Sequence, residues 1–251
     1  MRSKLLDLLR AHSDGPLSGE EIANSLGVSR TAVWKNIQAL KKEGYSIEAI
    51  NKKGYVLTGV PDKVLPEEII SRLQTKWLGH TINYKESIVS SNEVCKQLAT
   101  QGSPEGTVCV AEEQTRGKGR LSRGWFSPKG KGLWFSFLLK PSFLPQEASK
   151  CTLLAAVAVV QAVNSFPGVH ATIKWPNDIL LNGKKMVGIL TEMSAEFGHI
   201  NYIVVGIGIN VSVSPADVPE AFRASAISLN MVAKEKVNRA ELLSRVLQNF
   251  E

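Results

Sequence analysis

The residues best suited to chemistry lie in one run, QTRGKGRLSRGWFSPKGKG at 114–132. It holds Arg116, Lys118, Arg120, Arg123, Lys129 and Lys131, five glycines and no acid. Glycine lets a backbone approach a bound group closely, and guanidinium and ammonium groups neutralise phosphate oxygens. The composition therefore suits a nucleotide whose phosphates are being displaced. A mobile, solvated surface loop has the same composition, and composition alone leaves both readings open. Neither standard nucleotide motif is present: there is no GxxxxGK(S/T), and Gly117-Lys118-Gly119 opens no helix as a dinucleotide fingerprint must.

A second cluster is KWPNDILLNGKKMVGIL at 174–190. Pro176 cannot donate to a sheet ladder, so a strand through Lys174 ends there and presents Asn177 and Asp178 at its mouth. Asn182-Gly183 then turns the chain so that Lys185 returns on the partner strand. The same residues also describe an ordinary hairpin with a solvated lysine pair. A third element, GIGIN at 206–210, follows an apolar strand and reads by itself as a bulge or turn.

Elements to position these groups are legible around them. From about residue 80, β-like runs at 107–111, 133–139, 170–175, 185–192 and 201–205 mix with helices near 92–102 and 149–166. This is an α+β pattern, and a central mixed sheet with helices against one face is expected. The first sixty residues differ. Leu5, Leu6, Leu8 and Leu9 predict a helix ended by Gly15-Pro16. Ser18 and Glu21 form a capping box for a second helix that Gly27 ends. Ser29 caps a third, with Val33, Ile37 and Leu40 inward and Arg30, Thr31, Trp34, Lys35 and Gln38 on other faces. Tyr45 to Ile50, a turn through Lys52 and Lys53, and Tyr55 to Leu57 make a lysine-tipped hairpin. Helix, short turn, helix over about 19–38 is a helix-turn-helix layout, and its second helix is the one that enters a major groove. The alternative is a plain three-helix packing module with a solvated face. The boundary between the two parts falls at 60–65, giving domains 1–62 and 66–251.

The chain has 251 residues, 43% hydrophobic and 21% charged, with a net charge of +7. This excludes disorder as the default and favours a polyanionic partner. The first sixty residues carry nine Lys or Arg against six acids, and the rest 21 against 17, so both parts are basic. Three scattered cysteines suggest neither a disulfide framework nor a zinc site, and no signal peptide or membrane span is evident. A cytoplasmic protein without a membrane partner is expected.

Taken in order, GEEIANSLGVSRTAVWKNIQALKKEGYSIEAINKKGYVL, AEEQTRGKGRLSRGWFSPKGKGLW, KWPNDILLNGKKMVGIL and VVGIGINV resemble the bifunctional biotin–protein ligases that double as biotin operon repressors, from about residue 3 to 250. The resemblance implies a winged helix-turn-helix followed by a catalytic domain related to lipoate ligases and class II aminoacyl-tRNA synthetases. It further implies condensation of biotin with ATP, escorted by Mg2+, to biotinyl-5′-AMP, then transfer to a lysine of a biotin carboxyl carrier protein. Operator DNA and a homodimer formed with ligand are the other implied partners. No permanently bound cofactor and no metal held directly by protein side chains are expected.

By that resemblance Ser90, Ser91, Asn92 and Gln114 bind the ureido ring and ends of biotin. Lys118, Gly119 and Arg120, with Arg123, meet the carboxylate and α-phosphate, and Trp125 stacks on adenine. Lys174, Asn177, Asp178, Lys185, Gly188 and Asn210 line the adenylate, with Arg120, Lys185 and Lys174 as the catalytic cations. Ser29, Arg30, Thr31, Trp34, Lys35, Gln38, Lys52 and Lys53 are the implied DNA contacts. The sequence departs from the family where Lys118 replaces an Arg, Ser122 a Gly and Ser91 a Thr, and Arg116 stands where a small residue is usual. The family also continues past the helix resembling 239–250 into a small β-barrel, whereas this sequence stops at Glu251: either the sequence is truncated or that domain is lacking. Two other readings compete: a biotin-sensing transcription factor without ligase turnover, and a ligase for another acyl group such as lipoate.

Overall fold

The computed structural model describes residues 1–12 and 15–251, apart from the side chains of Ser122 and Ala221. Its backbone divides into two units, Met1–Asp62 and Lys63–Glu251.

Local signals account for the first unit. Helix α1 (Arg2–Ala11) buries Leu5, Leu6 and Leu9. Helix α2 (Gly19–Leu26) starts on a reciprocal cap: the Ser18 hydroxyl accepts the Glu21 N–H at 3.1 Å, and the Glu21 carboxylate accepts the Ser18 N–H at 2.9 Å. Two donors orphaned by the first turn are thereby satisfied, and the bonds from the Ser18 backbone and hydroxyl hold the Glu21 carboxyl below its usual range. Gly27, at φ +65°, ends α2. Helix α3 (Arg30–Glu43) is capped by Ser29, which accepts the Ala32 N–H at 3.2 Å. It turns Val33, Ile37 and Leu40 inward, each burial contributing about 1.5–3 kcal/mol.

Strands β1 (Ser46–Ile50) and β2 (Gly54–Gly59) form the expected antiparallel hairpin. Its return strand runs longer than 55–57. Tyr45, expected to begin the first strand, instead donates its N–H to the Leu40 carbonyl at 3.1 Å and closes α3. Leu17 exchanges backbone hydrogen bonds of 3.0 and 2.9 Å with Tyr55. A Cβ at Gly54 would lie 2.1 Å from the Leu17 carbonyl oxygen, so this position must be glycine.

The second unit begins with α4 (Pro66–Ile70), β3 (Ile82–Ile88), α5 (Ser91–Thr100), β4 (Val108–Lys118), β5 (Gly124–Ser127) and β6 (Gly132–Leu139). It continues with α6 (Ser149–Asn164), β7 (Ala171–Lys174), β8 (Asp178–Leu181), β9 (Lys184–Glu196), β10 (His199–Asn210), α7 (Glu220–Arg223) and α8 (Arg239–Phe250). The strands form one eight-stranded sheet of order β3-β4-β6-β10-β9-β8-β7, with β5 paired to β4 off this path. Only β3–β4 is a parallel pair among these, which makes the sheet mixed as expected.

Helices cover both faces, not one. Val108, Val110, Phe135, Phe137, Val205 and Ile207 pack in the large core with α6 and α8. The alternate residues Cys109, Leu138 and Val204 pack against Cys95 and Ala99 of α5. The physical reason is visible in β6, which is buried at every position and therefore needs an apolar layer on each side. Among the described residues no helix is long and apolar enough to cross a membrane.

One ion pair is wholly internal. Arg239 at the start of α8 and Glu112 on β4 meet at 2.8 Å, each at most 2% exposed. Arg239 also donates to the Gly132 carbonyl at 3.1 Å, and the second Glu112 oxygen accepts the Val64 N–H at 2.8 Å. Breaking such a pair from one side costs about 3–5 kcal/mol.

Candidate functional site

The cationic run is a hairpin. β4 continues through Lys118, a single 3₁₀ turn spans Arg120–Ser122, and β5 returns with Gln114 opposite Ser127 and Gly117 opposite Trp125. Nor is the Gly-Ile-Gly-Ile-Asn run a bulge or turn: it is the uninterrupted end of β10. Its glycines clear one face of the sheet. Gly208 sits opposite Gly188 on β9 and Trp134 on β6, and Gly206 opposite Leu190 and Ser136. A Cβ on Gly206 would lie 1.9 Å from Asn92 Oδ1, and one on Gly208 would lie 2.2 Å from the indole nitrogen of Trp125. Trp125 ring atoms also come within 3.0 Å of the Cβ position of Gly188. The result is a trough floored by the backbone of three glycines, with the Asn92 carboxamide on one part and the Trp125 indole on the other. The indole N–H is buried and has no acceptor among the described residues.

Around this floor the structure gathers several expected residues. Lys185 pairs with Asp178 at 2.7 Å and places its ammonium 5.3 Å from the Trp125 ring centroid. Asp178 lies opposite Gly188. Asn177 donates to the Ile189 carbonyl at 3.0 Å and accepts from Arg120 at 3.2 Å, which clips the hairpin tip to the mouth of β8. Gln114 accepts the Ser91 N–H at 2.7 Å and donates to Ser127 Oγ at 2.9 Å. Ser90, Ser91 and Asn92 are all buried at the start of α5. Lys118 meets Glu93 at 2.7 Å, with Gly119 beside it on the hairpin.

Other expected residues stand apart. Lys174, on β7 in register with Asp178, and Arg123, after the hairpin tip, have exposed side chains. Asn210 is buried one step beyond Gly208, donating to the Ile227 carbonyl at 3.3 Å beside a small hollow lined by Val213, Ser214, Val218 and Arg223.

Four residues of the site went unread in the sequence. Ser136 Oγ is 2.7 Å from Ser91 Oγ and 2.6 Å from Asn92 Oδ1. Asn92 Nδ2 donates to Glu192 at 2.7 Å and to the Leu190 carbonyl at 3.2 Å. Glu192 pairs with Lys96 at 2.6 Å, and Lys96 reaches Glu93 at 3.2 Å. Burial works to depress the Lys96 ammonium, but the bonds from Glu192 and Glu93 outweigh it and hold the group above its ordinary value. Hydrogen bonds from Lys118 and then Lys96 keep the Glu93 carboxyl low. A lone serine inside an otherwise apolar buried strand was the available signal for Ser136; Glu192 carried none.

In the first unit, Ser29, Arg30, Thr31, Trp34 and Lys35 of α3 and its cap are exposed, Gln38 is partly buried, and Lys52 and Lys53 are exposed at the hairpin tip. Helix and hairpin form a basic display of winged helix-turn-helix type.

A glycine floor overlaid by an indole, beside a cationic hairpin, suits a flat ring and an attached anion. The model of the biotin/lipoate A/B protein ligase family matches residues 84–210, and a helix-turn-helix domain model matches 2–56. The chain belongs to this ligase family and carries a helix-turn-helix domain ahead of the ligase fold. It is similar to the bifunctional ligase/repressor BirA of Bacillus subtilis (strain 168), 45% identical over all 251 residues and 77% of that protein. It is also 31% identical to the bifunctional ligase/repressor BirA of Escherichia coli (strain K12), over 78% of this chain and 59% of that one. Among solved structures, the biotin protein ligase from Aquifex aeolicus in complex with biotin and ATP superposes with a TM-score of 0.58 at 32% identity, covering 68% of each chain.

Proposed function

We propose that this chain activates biotin with ATP to biotinyl-5′-AMP, transfers the acyl group to a lysine of a biotin carboxyl carrier protein, and represses biotin-synthesis genes with the adenylate as corepressor. The observation that carries the reading is the glycine-floored trough with Arg120 and Lys185 fastened to the neighbouring Asn177 and Asp178, in a chain 45% identical throughout to a bifunctional ligase/repressor.

The chemical obstacle is repulsion between two anions. A biotin carboxylate oxygen must attack the α-phosphorus of ATP, forming an acyl–phosphate bond as the bond to pyrophosphate breaks. Fixed cations remove that repulsion, and placement lowers the barrier further. Lys185, held by Asp178, and Arg120 with Lys118 on the hairpin are assigned to the carboxylate and α-phosphate, with Lys174 and Arg123 on the outer phosphates. Trp125 supplies an aromatic surface for adenine, and Asn177 and Gly188 line the adenylate. Mg2+ bound to the nucleotide would supply further neutralisation of the leaving pyrophosphate. In the second step the carrier lysine amine attacks the carbonyl of the mixed anhydride and AMP leaves. Closure of the hairpin over the trough keeps water from that anhydride.

The head reads operator DNA through Ser29, Arg30, Thr31, Trp34, Lys35 and Gln38, with Lys52 and Lys53 on the backbone of the duplex, as a cytoplasmic homodimer formed when the adenylate is bound. Incubation with ATP, Mg2+, biotin and a carrier domain tests the enzyme half: a biotinylated carrier lysine is expected, and tight biotin binding without transfer would leave a sensor only. Lipoate offered in competition decides the acyl group.

A further inference from the structure

Glu192 lies outside every motif that names the activity, yet it ends a chain of three short hydrogen bonds. We infer that Glu192, held by Lys96, is a positioning residue that sets the direction of the relay Ser91 to Ser136 to Asn92 to Glu192 and thereby leaves the Ser91 hydroxyl oxygen as an acceptor for a ligand N–H. The inference rests on biotin as the substrate and adds what selects its ring.

The direction follows from donor and acceptor inventories. A carboxylate paired with an ammonium at 2.6 Å only accepts. Asn92 must therefore turn its NH2 group to Glu192, at 2.7 Å, where it also reaches the Leu190 carbonyl. That leaves Oδ1 facing Ser136 Oγ at 2.6 Å, and an amide oxygen has no proton to give, so the Ser136 hydroxyl donates there. A hydroxyl has one proton. The 2.7 Å contact between Ser136 and Ser91 is then made by the Ser91 proton, and the Ser91 oxygen keeps its lone pairs. Asn92 itself has no N–H to spare, because its NH2 group is shared between Glu192 and the Leu190 carbonyl, and Ser136 already donates to its oxygen. Asn92 thus acts on the acceptor through Ser136. A cyclic urea offers N–H donors to such an acceptor, whereas a dithiolane ring offers none. The relay thus contributes to choosing the first ring over the second.

The polarity is testable because Glu192→Gln is nearly isosteric. Lys96 demands the new carbonyl, so the glutamine NH2 group faces Asn92, which must flip and point its own NH2 group at Ser136. Ser136 then gives its proton to Ser91, whose own proton turns toward the ligand N–H. With the 251-residue chain, E192Q is expected to raise the biotin Kd and the KM for biotin by about tenfold, the size of one site hydrogen bond reversed, with the KM for ATP within about twofold. Lys96→Met alone preserves the acceptor at Glu192 and is expected to stay within about threefold of the parent. The double variant E192Q/K96M frees the glutamine to turn its carbonyl back to Asn92 and should recover to within about threefold. A purely structural role predicts instead that the double variant is worse than either single one. Ser136→Ala interrupts the relay without a charge change; it should weaken biotin binding and abolish any further effect of E192Q.

Biotin binding by E192Q within twofold of the parent, or a double variant as impaired as E192Q, overturns the inference. If E192Q does not fold in a thermal melt, unchanged biotin affinity in S136A overturns it equally. A parent protein that binds no biotin overturns the substrate reading and the inference together; parent binding with an indifferent S136A overturns the inference alone.

Discussion

The two units handle positive charge in opposite ways. In the head, Arg30 and Lys35 project from a regular helix and Lys52 and Lys53 from a hairpin tip, all exposed on outward-facing elements. In the ligase unit the cations at the trough are fastened: Lys185 to Asp178, Lys118 to Glu93, Arg120 to Asn177. A duplex presents phosphates over a long, repeating surface, so displayed charges with solvated side chains suffice and their contribution is additive and salt-dependent. A transferring phosphoryl group occupies one place, and charge helps only if it is already aimed there. Under the proposed function, similar side chains therefore serve as a field in one unit and as fixed geometry in the other.

Substituting the fastened cation should have the largest effect. Lys185→Ala is expected to slow adenylation, followed as pyrophosphate release, by about a hundredfold or more, while low-salt binding to non-specific DNA stays unchanged. Less than a tenfold loss would mean that Lys185 contributes only to the field. Next, Gly208→Ala forces a methyl group to 2.2 Å from the Trp125 nitrogen. A fall in kcat/KM of about tenfold or more is expected if the indole must keep its seat. Full activity in G208A would show that the ring is readily displaced. On the head, Lys35→Ala should weaken operator binding by about 1–3 kcal/mol in a mobility-shift titration, with adenylation unaltered. Equal affinity would place α3 in some other orientation on DNA. The smallest effect is expected at the wing, where Lys52→Ala and Lys53→Ala should each lower the slope of log affinity against log salt by about one, across all DNA sequences alike. A loss confined to one DNA sequence would assign these lysines to base reading.

The head was legible almost to the residue because its signals are local. Ser18 with Glu21, Ser29 with Ala32, and Gly27 act within one turn of chain. The sheet was legible as a set of apolar runs, but its faces were not, since covering β6 on both sides depends on which helix reaches each side. The site was legible only where residues cluster in sequence, as with Asn177, Asp178 and Lys185. Ser136 and Glu192 lie 44 and 100 positions from Asn92, and no spacing rule connects such distances. The cationic run suggested a loop because glycine is poor in strands. The structure makes Gly117 a strand residue because a Cβ there would lie 2.4 Å from the Trp125 carbonyl oxygen, so the close approach of β5 selects against any side chain.

The internal pair of Glu112 and Arg239 has an evolutionary consequence. Either charge alone would be stranded in the core, so drift at one position is blocked unless the other changes with it, and the accessible joint exit is to two apolar residues of matching volume. Such a replacement would also remove the carboxylate that receives the Val64 amide, two residues after the head unit ends. Positions 112 and 239, remote in sequence, should therefore be inherited as a pair, and relatives should show them covarying more tightly than the residues around the trough.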